Sequence, residues 1–284
     1  MATGPTVRRR RLGTELRRLR DSGGYKLEEA AALLGVAPST LSRIETGKAP
    51  TKSAYLNQLL EMYGVADVRQ RQVLIEMARE GHRKGWWADY DDVLPSGLDV
   101  YVGLEAEASK LRSYEISVVH GLLQTADYAR EVLRATGPRH SGAQIDRLVD
   151  LRIERQRRLD EEPQLDLWVI LDEAVIQRIV GGAATMRRQL VHLLAMAGQR
   201  GVTIQVLPFE SGAHPGHDGP FSILEFPDRS DSAIAYAESA GGPVYLEKDR
   251  DVQGRSDAFD RLRATAASPR VSLDMISLAA RELA

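Results

Sequence analysis

The stretch PSTLSRIE, residues 38–45, carries residue types that can form hydrogen bonds with an external partner. Its two large aliphatic residues, Leu41 and Ile44, have helical spacing and predict one buried face. The other candidate positions of this helix are Pro38, Ser39, Thr40, Ser42 and Arg43. Hydroxyl groups both donate and accept hydrogen bonds, and a guanidinium group presents a planar fork of donors. This outward chemistry suits the reading of nucleotide base edges.

Cationic residues accompany this stretch. Lys48 and Lys52 follow it, and Arg17 precedes it. Residues 1–52 hold eleven Lys and Arg against five Asp and Glu, a net charge of +6, so that the rest of the chain carries −8 of the total of −2. A basic segment on an acidic remainder indicates that the segment contacts a polyanion and the remainder does not.

Two other groups of residues have side chains that can bind a metal or transfer protons. HPGHD brings His214, His217 and Asp218 close together in sequence, and imidazole with carboxylate can ligate zinc. The remaining histidines are scattered and glycines surround the motif, so we expect a surface loop that either lies over a pocket or a partner surface or is a plain connection. Asp172 and Glu173 follow an apolar run, where we expect a helix cap. The sequence predicts no metal, no cofactor and no enzymatic activity.

Five short helices are predicted in the first part of the chain, at about 12–21, 26–34, 38–45, 52–63 and 67–80. Ala30 and Ala31 in the second helix are small enough to let a neighbouring helix approach closely. Gly35 is expected to turn the chain before the third helix, and Gly47 to end that helix in a left-handed conformation. Thr51 is the predicted N-cap of the fourth helix. This is a helix-turn-helix pattern.

A family resemblance covers residues 12–80. The segment LGTELRRLRDSGGYKLEEAAALLGVAPSTLSRIETGKAPTKSAYLNQLLEMYGV resembles the five-helix DNA-binding domain of the phage-repressor (Cro/C1, xenobiotic-response-element) family. The matching features are the Glu29, Ala31, Leu34, Gly35 and Val36 spacing, the STLSRIE helix and the Gly47 turn. The resemblance implies that the third helix lies in the major groove. The DNA-binding residues expected from it and from their chemistry are Pro38, Ser39, Thr40, Ser42, Arg43, Lys48, Lys52 and Arg17.

The segments on either side are expected to be an arm and a linker. Four consecutive arginines make residues 1–11 a basic arm that follows phosphates, enters a minor groove or is a solvated tail. Residues 81–98 are rich in turn formers and predict a linker, which the apolar rings of Trp86 and Trp87 are expected to clamp to the remainder of the chain. With no cysteine, no secretory signal and no membrane-length apolar run, we expect a cytoplasmic, nucleoid-associated protein.

Residues 99–284 predict a larger mixed α/β domain, which makes the fold class an N-terminal five-helix domain followed by a mixed α/β domain. Extended segments are predicted at 110–117, 118–125, 165–171, 202–207, 221–226, 232–239 and 243–248. Helices are predicted at 126–135, 143–160, 173–180, 185–199, 249–267 and 269–283.

A second resemblance covers this part of the chain. The blocks that carry it are YVGLEAEASKLRSYE, VHGLLQTADYAR, LVDLRIERQRRLD, LDEAVIQRIVGG, VLPFESGAHPGHDGPFSILEFPD and VYLEK. They are similar to the C-terminal domain (DUF5753) of the Scr1-type antitoxin-like regulators of high-GC filamentous bacteria. The resemblance implies a repressor-type transcription factor, often paired with a small DUF397-type protein from a neighbouring gene. It implies no ligand and no catalytic residue.

The combined expectation is a sequence-specific, homodimeric transcriptional regulator that binds double-stranded DNA and no membrane. In one hypothesis its C-terminal domain binds a small partner protein. In the alternative, this domain senses a small molecule held between sheet and helices, with the 211–220 loop as a lid. The helix at 143–160 and the closing helices are both candidates for the dimer contact.

Overall fold

The computed structural model describes residues 5–82, 85–95, 97–136, 140–228, 231–239 and 242–283. It divides the chain into two compact units. The first comprises Met1–Asp89 and Asp99–Glu107, and the second Tyr90–Leu98 and Ala108–Ala284. The described residues form twelve α-helices and one six-stranded sheet, with the sheet confined to the second unit. The predicted fold class is confirmed.

The helices of the first unit are α1 (Pro5–Ser22), α2 (Leu27–Leu34), α3 (Pro38–Glu45), α4 (Ser53–Met62), α5 (Val68–Gly81) and, apart from Leu98, α6 (Leu98–Glu107). The apolar stripes predicted for α1 to α5 meet in one core, in which Leu16, Leu41 and Leu59 are fully buried. Ala30 and Ala31 are also fully buried, so small side chains do allow the helices to pack closely here.

The predicted basic arm over residues 1–11 is wrong for the residues that the structure describes. Pro5 begins α1, so the four arginines at 8–11 are helical. The reason lies far along the chain, because the Glu107 carboxylate accepts the Thr6 and Val7 N–H groups at 2.9 Å each. It thereby caps the helix seven residues before the predicted start. Arg10 is buried and Arg8 is ion-paired with Glu80, as no flexible arm would be.

The predicted linker at 81–98 is also structured. A short 3-10 helix spans Trp86–Tyr90, and α6 begins at Leu98. Trp87 is buried within the first unit, where its ring lies 2.8 Å from the position of a β-carbon added to Gly103. Gly103 lies within the predicted C-terminal domain of residues 99–284, so the contact of Trp87 agrees with the expected clamp, although this part of the chain belongs to the first compact unit. One ring belongs to the first unit, and Trp86 stays partly exposed.

The second unit alternates helices and strands. Its strands are β1 (Lys110–Glu115), β2 (Asp166–Asp172), β3 (Val202–Leu207), β4 (Phe221–Glu225), β5 (Ile234–Ser239) and β6 (Gly242–Leu246). Its helices are α7 (Ala126–Thr136), α8 (Gly142–Gln156), α9 (Glu173–Gln177), α10 (Ala183–Met196), α11 (Asp249–Thr265) and α12 (Pro269–Glu282). The sheet order is β3-β2-β1-β4-β5-β6.

The sheet is parallel on one side and antiparallel on the other. β1, β2 and β3 pair in parallel, which requires the long helical connections between them. β4, β5 and β6 follow one another antiparallel, with β4 beside β1. Helix α11 covers one face through Phe259 and Leu262, which pack against Tyr114 and Phe221. In the described part of the chain, no helix is both long and apolar enough to cross a membrane.

One predicted strand of this domain is wrong. Residues 118–125 are not a strand, since Gly121–Leu123 forms a 3-10 helix. The His120 ring accepts a hydrogen bond from the Leu122 N–H at 3.3 Å, which favours a turn over an extended chain. Leu122 and Leu123 are nevertheless fully buried, so the apolar pattern did identify core residues there.

Candidate nucleic-acid interface

Helix α3 presents the predicted outward face. Leu41 and Ile44 are buried in the core of the first unit. Pro38, Ser39, Thr40 and Arg43 are exposed, and Ser42 is half-buried at the edge. Among the described residues, Arg43 has no ion-pair partner, so its guanidinium is available for an external acceptor.

The turns on either side of α3 fix its ends. Pro38 is the first helical residue, where a missing N–H costs nothing. After the helix, Gly47 has φ +66°, the Lys48 N–H donates to the Arg43 carbonyl at 2.8 Å, and the Gly47 N–H donates to the Ile44 carbonyl at 3.0 Å. This pair of bonds is a Schellman motif and confirms Gly47 as the left-handed terminator. Gly35, with φ +71°, likewise turns the chain before α3.

A buried ion pair ties the end of α3 to α1. Arg20 Nε donates to Glu45 Oε1 at 2.7 Å and Arg20 Nη2 donates to Glu45 Oε2 at 3.0 Å, in a bidentate arrangement. The side chains are only 9% and 4% exposed. The hydrogen bond with Glu45 raises the pKa of Arg20. A third bond, from Arg20 Nη1 to the Tyr25 carbonyl at 2.9 Å, fixes the guanidinium itself.

The sequence interpretation missed this pair. Both residues were counted only as charges of the basic segment. A signal was present, because Arg20 directly follows Leu19 on the apolar stripe of α1, and Glu45 directly follows Ile44 on that of α3. Opposite charges at the edges of two facing apolar stripes predict a pair that crosses between the helices.

The backbones of α1 and α3 also approach each other very closely. A β-carbon on Gly13 would lie 2.5 Å from the Glu45 carbonyl oxygen, and one on Gly47 would lie 2.7 Å from the Arg10 Cα. Neither position can hold a larger residue without moving a helix. The orientation of α3 is therefore set by glycine contacts at its end, the Arg20–Glu45 pair beside them, and the buried leucine and isoleucine beneath.

The remaining cations lie outside α3. Lys48 is exposed in the turn after α3, and Lys52 is exposed at the start of α4. Arg17 is exposed on α1, where it pairs with Asp21 at 3.9 Å. An exposed pair of this kind is worth little, so Arg17 can exchange that partner for a phosphate.

The beginning of α4 is suited to an anion. The N-cap is Lys52, so the prediction that Thr51 fills this place is wrong. Thr51 is buried, and its carbonyl lies 2.8 Å from His82 Nε2. Lys52 makes no side-chain cap, and the first turn of α4 contains no acidic residue. Its N–H groups and positive end are open to a phosphate.

The HPGHD residues do not converge on a common point. The rings of His214 and His217 stack with centroids 4.6 Å apart, while Asp218 pairs with Arg255 at 3.7 Å. Burial lowers the pKa of His214. Within the described ranges, no three or more His, Asp and Glu side chains are grouped to hold a metal ion.

The Asp172–Glu173 pair is engaged in structure. Asp172 Oδ1 accepts the Ala174 N–H at 2.9 Å and caps α9, which confirms the predicted cap. Glu173 Oε2 accepts the Phe209 N–H at 2.7 Å and so connects the segments that follow β2 and β3.

Comparison with known protein families agrees with this division. The chain matches a helix-turn-helix domain over residues 11–74 and a domain of unknown function (DUF5753) over residues 98–277. Searches of curated proteins and of solved structures found no match. The helix-turn-helix match supports DNA binding by the first unit. Because the second match covers more than half of the residues, the chain belongs to the DUF5753 family, with a helix-turn-helix domain in front of the family domain.

Proposed function

We propose that this protein is a sequence-specific transcriptional regulator that reads the major groove with α3. The observation that carries the proposal is the single exposed row of Ser39, Thr40 and Arg43 on a helix whose opposite face is held by Leu41 and the Arg20–Glu45 pair. Arginine bonds guanine in a bidentate manner, and hydroxyls bond several base edges. A rigid base under these side chains keeps them in register.

The phosphate contacts come from the cations around α3. Arg17, Lys48 and Lys52 are exposed on three different elements of the first unit. The open N-terminus of α4 adds backbone donors beside Lys52. Contacts of this kind set position and salt dependence but carry no sequence information.

We expect the protein to act as a homodimeric repressor whose recognition helices lie about 34 Å apart, one turn of DNA. Helix α12 is the better candidate for the dimer contact. It exposes two large apolar side chains one heptad apart, Val271 and Leu278, at 50% and 58%. Helix α8 exposes only Ile153 among its large apolar residues, at 39%.

The test is selection of bound DNA from a random pool by the full chain at stated salt. Arg43→Ala is expected to cost about 1–3 kcal/mol on the selected operator and to relax one base position. Lys52→Ala is the matched control, because loss of a phosphate contact weakens all sequences alike and lowers the salt slope by about one. If Arg43→Ala behaves as Lys52→Ala does, α3 does not read bases.

The C-terminal domain is proposed to bind a small partner protein of the DUF397 type, as the antitoxin-like resemblance implies. Ile179 and Phe209 support a protein surface, since they are 56% and 61% exposed in segments joined by the Glu173 bond to Phe209 N–H. Co-expression with the product of the neighbouring gene tests this. We expect the two proteins to co-purify and the Phe209→Ala change to abolish this co-purification. Separate elution of the two unchanged proteins would contradict the proposal.

A second candidate is a ligand-sensing regulator without a protein partner. One observation favours it, namely that charged and polar side chains occupy the inner face of the sheet at the end of β1. In both forms, the domain binds and does not catalyse. A ligand-dependent rise in melting temperature, with no co-purifying protein, would select this form.

A further inference from the structure

One face of the sheet carries polar side chains where apolar ones are usual. Ser113 of β1 is opposite Ser222 of β4, which is opposite Tyr236 of β5. All three are buried, at 0%, 5% and 9% exposure, and the two serine hydroxyls are 2.9 Å apart. Burying polar groups across three neighbouring strands is costly unless they are hydrogen-bonded, so the bonds of these hydroxyls are what allow a polar row on this face.

Two carboxylates lie on the same face, one pleat further along. Because alternate residues of a strand share a face, Glu115 is beside Ser113, and Glu238 is beside Tyr236. The Ser113 hydroxyl donates to Glu115 Oε1 at 2.8 Å, and the Tyr236 hydroxyl donates to Glu238 Oε1 at 3.1 Å. Glu115 remains partly exposed although Ser113 and Tyr236 are buried. Glu238 is exposed, so solvent reaches this end of the polar row, which we call the recess.

Helix α8 supplies two arginines near these carboxylates. Arg152 and Arg155 both act electrostatically on Glu115. Arg155 is buried, with its guanidinium 3.2 Å from the position of a β-carbon added to Gly121. Arg152 Nη1 donates to Gln124 Oε1 at 2.7 Å, and Gln124 Nε2 in turn donates to the Val119 carbonyl at 2.6 Å. Both cations are thus held in place by their surroundings.

The charges do not neutralise one another as a closed ion pair would. Burial is the largest cause that raises the pKa of Glu115, to about 7 in all; the charge of Glu238 also raises it, while the Ser113 hydrogen bond and the charges of Arg152 and Arg155 lower it. A salt-bridged carboxylate has a lowered pKa. A cationic group placed beside Glu115 would therefore stabilise the ionised carboxylate, in a recess that also holds two arginines.

The recess has the position at which sheets of this type bind ligands. It lies at the carboxyl end of β1, which has a parallel neighbour in β2 and an antiparallel neighbour in β4. In open α/β sheets, ligands bind outside the carboxyl ends of the strands, where the connection pattern changes.

We propose that this recess, formed by Glu115, Glu238, Tyr236, Ser222, Arg152 and Arg155, binds a small zwitterion of the amino-acid type. The ammonium group lies between the two carboxylates, and the carboxylate group faces the two arginines. The binding site itself is independent of DNA recognition. Its role as the effector site of a regulator rests on the proposed function.

The experiment is a calorimetric titration of the full chain, without DNA, with the standard free L-amino acids at pH 7. At least one is expected to bind and to raise the melting temperature. The matched probes are the same molecule without its amino group and the same molecule without its carboxyl group. Each is expected to bind at least about tenfold more weakly, the effect of one lost charged hydrogen bond.

Variants assign the binding to the recess. Glu115→Gln and Arg152→Gln are expected to weaken binding at least about tenfold. Asp166→Asn is the control, because Asp166 lies at the opposite end of the parallel strands, in register with Lys110. The proposal is overturned if no amino acid binds at millimolar concentration, if the acid or the amine alone binds as tightly, or if Glu115→Gln and Arg152→Gln change nothing. If an amino acid binds but does not change the affinity for the operator, the binding site stands and only its proposed regulatory role is refuted.

Discussion

The Arg20–Glu45 pair is expected to stabilise the first unit by an amount that a double-mutant cycle can isolate. Arg20→Ala leaves a carboxylate with a 4% exposed side chain and removes both of its hydrogen bonds. Removing one partner of a buried pair costs about 3–5 kcal/mol. Glu45→Ala is expected to cost less, about 2–4 kcal/mol, since Arg20 keeps Asp21 at 2.7 Å and the Tyr25 carbonyl at 2.9 Å. The double variant should cost less than the sum by about 2 kcal/mol or more.

The assay is urea unfolding followed by tryptophan fluorescence. Of the three tryptophans, Trp86 and Trp87 lie in the first unit and Trp168 in the second, so a Trp168→Phe background reports only the first. The control is Arg18→Ala. It breaks a 2.6 Å pair with Glu15, and Arg18 is 58% exposed. An exposed pair of this kind contributes little to stability.

Arg20→Ala should be the more damaging single change, and both changes should also weaken operator binding at temperatures where the protein is folded. If each single change costs no more than Arg18→Ala and the two effects add, the pair does not hold α3 in place.

Other changes test further contacts. Gly47→Ala, measured by urea unfolding, should cost at least about 2 kcal/mol because of the left-handed backbone and the close Arg10 Cα, whereas Gly64→Ala, with φ +68° and no atom within 4 Å, should cost only about 1 kcal/mol. Glu107→Ala should cost about 0.5–2 kcal/mol and speed amide exchange in the first turn of α1, and normal exchange there would contradict the cap. In the folded state the pKa of Glu115 is raised from 4.5 to about 7. Between these pH values the folded state therefore holds a proton that the unfolded state has released, and the free energy of unfolding falls as the pH rises through this window. The Glu115→Gln change should therefore be more stabilising at pH 8 than at pH 4, by about 1–3 kcal/mol in the free energy of unfolding. An equal effect at both pH values would contradict the raised pKa.

Features that depend on neighbouring residues could be predicted from the sequence. The bounds of α3 match the prediction because Pro38, Leu41, Ile44 and Gly47 each act within one or two turns of chain. The same holds for β1 to β6, whose apolar alternation and short turns are local signals.

Features that depend on distant residues could not be predicted from the sequence. The start of α1 is fixed by Glu107, about a hundred positions away. The polar recess at β1 is likewise invisible in sequence, because Glu115 and Arg152 have the residue types of a solvated surface. Only the register of Ser113, Ser222 and Tyr236 across three strands shows that they share an inner face. The burial of a charged residue can be predicted only when the residue that pairs with it is known.

The family boundary and the structural boundary of this chain do not coincide. The DUF5753 match begins at residue 98, whereas the first compact unit includes Asp99–Glu107, most of α6. This helix caps α1 through Glu107, and its Gly103 lies against Trp87. Helix α1 in turn holds α3 through Arg20. The first helix of the family domain is therefore part of the support of α3, and only two residues separate it from β1, the strand that ends at the recess.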